Sequence, residues 1–277
     1  MASRRDPAGC RVGLFGVPYD GTTSFRPGTR FGPGAIRDVS SGLESYCPQL
    51  DRDLEDLAFA DLGAVVIPFG DPEPVVAAVR QATERVLALG LAPLMLGGEH
   101  SISSGAVAAV AARHPDLVLV QLDAHADLRD HYLGGRHSHA CAMRRCLEVL
   151  PSQELRQIAI RSGTREEFHE LRQSGRLVAI EQMAEALHPL RGRPLYLTVD
   201  LDWFDPAVLP GTGTPEPGGF LWPHFASLVA ELRHHQLVAA DVVELAPHLD
   251  PTGVSSVLAA KVVRSLLLLL GERAGAL

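Results

Sequence analysis

Short apolar runs alternate along the chain with stretches whose apolar positions fall at helical spacing. The runs at 12–17, 58–62, 93–96, 117–122, 157–160, 177–180, 195–199 and 237–245 predict about eight strands. Between them, residues 74–89 place Val75, Val79, Ala82, Val86 and Leu89 on one helical face. Residues 101–113, 140–150, 223–234 and 255–270 are further helix candidates. Strand, helix, strand almost throughout is the signature of a mainly parallel sheet covered on both faces. The expected fold class is α/β: a single three-layer α/β/α domain over residues 1–277, with a mainly parallel, roughly eight-stranded sheet and no internal repeat, low-complexity tract or linker.

Two stretches interrupt this rhythm with Gly and Pro, residues 16–34 (GVPYDGTTSFRPGTRFGPG) and 210–219 (PGTGTPEPGG). Either can be read as a surface connection, but loops of this length inside a compact domain are more often functional.

Composition narrows the partners. With 46% hydrophobic and 21% charged residues the chain can bury a large core. Its net charge of -8, from 33 acids and 25 bases without a long single-sign run, disfavours nucleic acid and anionic membrane and suits a small cation. No apolar segment of signal-peptide length follows the basic first residues, and the run 266–270 reads as a buried closing helix rather than a membrane span, so a cytoplasmic location is expected. Cys10, Cys47, Cys141 and Cys146 show no CxxC pairing and are expected as reduced thiols, with Cys141 in packing rather than catalysis.

The candidate chemistry gathers where strands end. In open α/β sheets ligands bind outside the carboxyl ends of the strands. The strand at 117–122 runs into Asp123, His125 and Asp127, which project from one face if the extended backbone continues. The strand at 93–96 leads through Gly97, Gly98 and Glu99 to His100, and that at 195–199 ends in Asp200 and Asp202. Each alone has a mundane reading, as a solvated turn, a capping His or an acidic strand end. Together His100, Asp123, His125, Asp127, Asp200 and Asp202 put two imidazoles and four carboxylates at one end of a sheet, which points to two metal ions.

The charge arithmetic agrees, because four carboxylates balance two divalent ions. Carboxylate and imidazole without thiolate favour two Mn²⁺ per subunit, with Fe²⁺, Co²⁺, Ni²⁺ or Zn²⁺ as the alternatives. Ions ~3.5 to 4 Å apart can share Asp123 and Asp200, and coordination brings the pKa of water from about 15.7 toward ~7.

GGEHS at 97–101, DAHAD at 123–127 and VDLDWFDPAVLPGTGTPEPGG at 199–219 resemble, in order, the three metal-site signatures of the arginase/agmatinase ureohydrolases. GVPYDGTTSFRPGTRFGPGAIR and DVVELAP at 241–247 extend the resemblance over almost the whole chain, which is most similar to bacterial agmatinases. The resemblance implies manganese-dependent hydrolysis of a guanidino compound to urea and an amine, most simply of agmatine to putrescine. It implies one ion on His100, Asp123, Asp127 and Asp200 and the other on Asp123, His125, Asp200 and Asp202. It implies that His139 is the catalytic histidine and that Glu244 receives the guanidinium; without it, each reads as a helix cap and a solvated strand end. A homo-oligomer, trimer or hexamer, is expected, although the chain starts close to its first strand.

The departures concern the substrate tail. Arg129 stands where arginases carry an Asn that grips the amino-acid head group, which disfavours arginine as substrate. Arg129 can in principle bind the carboxylate of 4-guanidinobutyrate, whereas Glu216 and Asp130 suggest a negative pocket for an amine. Trp203 and Phe204 replace smaller aliphatic residues and are expected to alter packing rather than ligation. The competing readings are another ω-guanidino substrate and a non-catalytic relative that binds metal or polyamine.

Overall fold

One parallel sheet of eight strands forms the centre of the molecule, in a computed structural model that describes residues 3–273. Its strands are β1 (Val12–Val17), β4 (Phe59–Ala64), β5 (Ala92–Gly97), β6 (Val118–Leu122), β7 (Leu155–Ile158), β8 (Leu177–Val178), β9 (Pro194–Asp200) and β10 (Gln236–Val243). A small antiparallel pair, β2 (Tyr46–Cys47) and β3 (Arg52–Asp53), lies apart. The eight sequence-derived strands correspond one to one with the strands of the large sheet. The sheet is the parallel, eight-stranded one expected.

The spatial order is β4-β1-β5-β10-β9-β6-β7-β8. After β5 the chain skips two places to lay down β6, continues outward through β7 and β8, and returns to fill the gap with β9 and β10. The four central strands β5, β10, β9 and β6 are therefore neighbours although they come from three distant stretches of sequence. Their carboxyl ends open on one edge, where a ligand is expected in such a sheet.

Helices α1 (Gly32–Val39), α6 (Met183–Leu187), α7 (Trp222–Leu232) and α8 (Val254–Arg273) cover one face. Helices α2 (Pro72–Ala88), α3 (Ser103–Ala111), α4 (Ala142–Val149) and α5 (Arg165–Ser174) cover the other. Strand β6 shows why both faces need cover: Val118, Val120 and Leu122 enter one core and Leu119 the other, all at 1% exposure or less. Each such side chain contributes about 1.5 to 3 kcal/mol by burial. Helix α8 is apolar and long enough to cross a membrane by length and composition, but 78% of its most apolar window is buried inside the fold, so it is a core helix.

Hydrophobic periodicity missed α1, α5 and α6. Helix α5 buries only Glu167 and Leu171, so it carries little apolar signal. Its ends define it instead: Thr164 and Glu167 form a capping box, and Gly175 closes it in the left-handed conformation. Helix α1 begins inside the Gly- and Pro-rich stretch 16–34, with Pro33 in its first turn, where the missing N–H costs nothing.

Candidate metal centre

Strand β5 ends at Gly97, and Gly98 then passes so close to the 18–24 loop that a Cβ there would lie 1.9 Å from the carbonyl oxygen of Tyr19. Only glycine fits, and this close passage delivers His100 to the sheet edge. His100 Nδ1 lies 3.0 Å from Asp123 Oδ2, 3.2 Å from Asp127 Oδ2 and 3.4 Å from Asp200 Oδ2, yet satisfies hydrogen-bond geometry with none of them. A buried ring nitrogen and three carboxylate oxygens this close with no hydrogen bond to it are arranged as cation ligands, and the atoms of His100, Asp123 and Asp200 all lie within 4.8 Å of one another. A second group lies alongside, with His125 Nδ1 2.9 Å from Asp202 Oδ2 and 3.6 Å from Asp123 Oδ1. Asp123 belongs to both groups, one oxygen to each.

All six sequence-derived ligands thus meet, but not by the expected route. The strand does not continue past Leu122. Asp127 has φ 52°, in the left-handed region, and His125 makes only an isolated bridge to Ser162. The ligands converge because the DAHAD backbone curls, and the pleat of a strand plays no part beyond Asp123. Asp200 stands on the His100 side of the cluster. Its Oδ2 faces His100, while its Oδ1 accepts the backbone N–H of Asp202 at 2.8 Å.

Burial and mutual repulsion give the cluster its electrostatics. Burial, and then the charges of Asp202 and Asp123, push Asp200 well above the ordinary carboxylate range; burial and Asp123 push Asp127 up to about 7. Burial works against ionisation of Asp123 too, but the imidazoles of His100 and His125 outweigh it and hold its carboxyl low. Burial pulls both imidazoles down and their carboxylate neighbours more than reverse this. The site therefore draws positive charge inward and supplies it from protons; divalent cations displace such protons.

The tautomer of His100 is set from behind. Thr198 Oγ1 donates its single hydrogen to Asp241 Oδ1 at 2.6 Å, so it accepts from His100 Nε2–H at 2.8 Å, which makes Nδ1 the nitrogen presented to the carboxylates. Tyr196 donates to the other oxygen of Asp241 at 2.7 Å. Asp241, Thr198, Gln121 and Gln157 stand directly opposite one another on adjacent strands β10, β9, β6 and β7. They form a fully buried polar row beneath the ligands, which hydrophobicity-based reading passes over. The available signal was a polar residue inside each apolar strand, two or three positions before Asp123, Asp200 and Glu244.

A cavity of about 260 Å³ opens over the cluster, lined among others by His125, Asp127, Asp200, His139, Glu244, Arg129 and Glu167. Glu244 follows β10 with φ 68°, a backbone conformation that costs a non-glycine residue of order 1 to 3 kcal/mol. It is buried, and burial together with the charge of Glu99 pushes it well above the usual carboxylate range. His139 Nδ1 lies 3.4 Å from Thr22 Oγ1 and its Nε2 3.2 Å from Ser24 Oγ. Burial pulls its pKa down to about 4, so its imidazole is neutral at neutral pH.

The 18–24 loop that carries these hydroxyls is clamped by Glu99, another buried residue that sequence reading did not assign. Its carboxylate accepts from Thr22 N at 2.9 Å, Thr22 Oγ1 at 2.5 Å, Thr23 Oγ1 at 3.2 Å and Ser101 Oγ at 2.6 Å. The loop 210–219 is tied down by Arg161, which donates to the carbonyls of Asp202, Trp203 and Glu216.

The tail-pocket candidates separate. Arg129 lines the cavity, with its guanidinium 4.5 Å above the Tyr132 ring and Nε 3.8 Å from Glu167 Oε2. Glu216 is not among the lining residues, and Asp130 is paired with Arg145, His131 and Arg136 away from it. Glu167 is the acid at that end, and it also accepts the N–H of Leu128 at 2.9 Å and of Thr164 at 2.7 Å. Trp203 and Phe204 are fully buried, Trp203 stacking on Phe220 at 4.8 Å. They pack the core, although Trp203 sits on a short 3-10 turn rather than in a strand. Cys141 is buried and burial raises its thiol pKa, which suits packing.

Comparison with known proteins gives concordant findings. The sequence profile of the Arginase family matches residues 10–269. The agmatinase of Bacillus subtilis is 39% identical over 274 residues, covering 97% of this chain and 94% of that protein. The guanidinobutyrase of Pseudomonas aeruginosa is 36% identical, covering 92% and 85%. The crystal structure of agmatine ureohydrolase of Thermoplasma volcanium superposes with a TM-score of 0.83 at 35% identity, covering 95% of this chain and 90% of that one.

Proposed function

The chain belongs to the arginase family of ureohydrolases, and from that premise we propose that it hydrolyses agmatine to putrescine and urea. The observation that carries the reading is that Glu244 and His139 line one cavity with His125, Asp127 and Asp200, which belong to the two carboxylate–imidazole groups joined by Asp123.

We assign one ion to His100, Asp123, Asp127 and Asp200. The second falls to Asp123, His125 and Asp202, with Asp200 joining them by the family's pattern. The donor set is carboxylate and imidazole without thiolate, which favours Mn²⁺. When bound, the ions lower the pKa of water and so supply a nucleophile at neutral pH. Glu244 receives the planar guanidinium, whose positive charge restores the ionised carboxylate that burial disfavours, and paired N–H bonds fix its plane beside the ligands. The C–N bond to the alkyl chain breaks only if the departing amine takes a proton. His139, positioned by Thr22 and Ser24 at the cavity wall, takes up the proton that the nucleophile loses on adding to the guanidinium carbon and passes it to the amine nitrogen. Glu167, in the lining of the same cavity, supplies the negative charge for an ammonium tail.

A second reading keeps the chemistry and changes the tail. Arg129 in the cavity lining favours a carboxylate-tailed guanidine such as 4-guanidinobutyrate. Its pairing with Glu167 and Tyr132 argues that its charge is already engaged. Urea release from agmatine, arginine and 4-guanidinobutyrate, measured in parallel with Mn²⁺ present, separates the two. Turnover of agmatine alone supports the proposal; exclusive turnover of 4-guanidinobutyrate overturns it, and no urea from any guanidine with two ions bound restores a non-catalytic role.

A further inference from the structure

Asp123 belongs to both groups, one oxygen to each, so the direction of its carboxylate decides whether two ions can be held together. Its Oδ1 accepts the backbone N–H of His125 at 2.6 Å. Its Oδ2, on the His100 side, accepts from Gln121 Nε2 at 2.6 Å. Gln121 lies two residues earlier on the same strand, fully buried in the polar row beneath the cluster. Gln157 stands opposite it on β7 and donates from Nε2 to Gln121 Oε1 at 2.6 Å.

We propose that Gln121 and Gln157 are a positioning pair that aims the Asp123 carboxylate toward both ions at once. The proposal rests on the reading of Asp123 as a shared metal ligand. An amide side chain has two ends of similar shape, and which end faces where must be fixed by its partners. Here two backbone carbonyls fix it. Gln157 Nε2 also donates to Ala126 O at 2.9 Å, and Gln121 Nε2 to His125 O at 3.2 Å. A carbonyl only accepts, so both NH₂ groups are held toward the DAHAD loop and neither amide can turn over. Gln157 Oε1 has no partner among the described residues, and a flip to relieve it would leave Ala126 O and Gln121 Oε1 without their donor.

The chain of direction runs from the Ala126 carbonyl through Gln157 and Gln121 to one oxygen of Asp123. It also ties strands β6 and β7 to the curled loop in which Asp127 takes its left-handed conformation. A neutral donor suits this place, because an ammonium or guanidinium would compete with the ions for the carboxylate charge. The pair mirrors the other half of the buried row, where Asp241 and Thr198 direct His100. One row of the sheet thereby orients ligands of both groups.

The test is Mn²⁺ titration of the purified full chain, with free ion read by electron paramagnetic resonance, together with thermal unfolding with and without Mn²⁺. Wild type is expected to bind two ions per chain. Gln121→Met keeps length and volume but removes the donor, and should weaken Mn²⁺ binding about 10- to 100-fold, the usual effect of losing an outer partner of a ligand. Gln157→Met should weaken it in the same direction by less. The double variant should bind about as Gln121→Met does, because Gln157 acts through Gln121 and the two losses are not additive. Unfolding without metal should stay close to wild type while the Mn²⁺-induced rise shrinks. If a methionine variant does not fold, Gln157→Asn keeps a buried amide drawn back from Gln121 and should show the Gln157→Met loss. Variants that bind Mn²⁺ as wild type does, or losses that multiply in the double variant, overturn the positioning role alone. A wild type that holds fewer than two ions overturns the shared-ligand reading and the positioning role with it.

Discussion

The backbone N–H of His100 donates to Glu244 Oε1 at 2.7 Å, joining the first residue after the β5 turn to the residue just past β10. The side chain proposed to take the guanidinium is thus fastened to the backbone of a proposed metal ligand, which ties the position of a bound guanidinium to the cluster. Glu244→Gln preserves the acceptor for that bond and removes only the charge. It is expected to keep metal content and to lower kcat/KM for agmatine about 10- to 100-fold, in line with the ~1.5 to 3 kcal/mol of a hydrogen bond to a charged group. Metal analysis and initial rates check this, and unchanged kcat/KM removes Glu244 from guanidinium binding.

His139→Phe is expected to retain both ions and slow turnover by ~10² to 10⁴-fold, the usual weight of a positioned proton donor. Its depressed pKa also predicts a pH signature in stability. The folded chain keeps His139 neutral down to about 4, whereas an unfolded chain protonates it near its ordinary value, so the unfolded state binds more protons between the two. The stability it contributes is complete above the unfolded pKa and is lost as pH falls toward about 4. The loss of melting temperature over that window should therefore be shallower in His139→Phe than in wild type; parallel profiles contradict the neutral, buried imidazole.

Thr198→Val removes the hydroxyl that accepts from His100 Nε2–H and donates to Asp241 while keeping the side chain's shape. The expected result is a Mn²⁺ affinity lower by about 10- to 100-fold. A stability loss of about 1 to 3 kcal/mol should accompany it, from the buried groups left unpaired. Metal titration and denaturant unfolding read the two separately. Undiminished affinity means that Nδ1 of His100 is presented without help from behind.

Arg129→Ala distinguishes the two tails. With agmatine as substrate, removing a like charge should leave kcat/KM unchanged or raise it by up to about 5-fold, the ~1 kcal/mol of two unit charges ~4 Å apart in water. Residual activity on 4-guanidinobutyrate should fall. A collapse of agmatine turnover would show instead that Arg129 holds Tyr132 and Glu167 in place for the substrate.

The six proposed metal ligands, the strand ends that carry them and the parallel layered fold were legible in the sequence. Apolar strand runs are local, and His100, Asp123, His125, Asp127, Asp200 and Asp202 follow those runs within a few residues. Glu244 and His139 were legible only through resemblance, because nothing in their own surroundings marks them. Tertiary structure decided the rest. The curl that gathers the DAHAD side chains depends on a left-handed Asp127 that spacing does not reveal. The clamp of Glu99 on Thr22 and the presence of Glu167 rather than Glu216 at the cavity join residues far apart in the chain. The buried row from Asp241 to Gln157 exists only once four strands from separate stretches pair in one register. Periodicity along a strand fixes which face a side chain takes, while register between strands is a non-local outcome of packing. The sequence by itself therefore determined which groups form the site, and the register of the sheet decided which hydrogen bonds aim them.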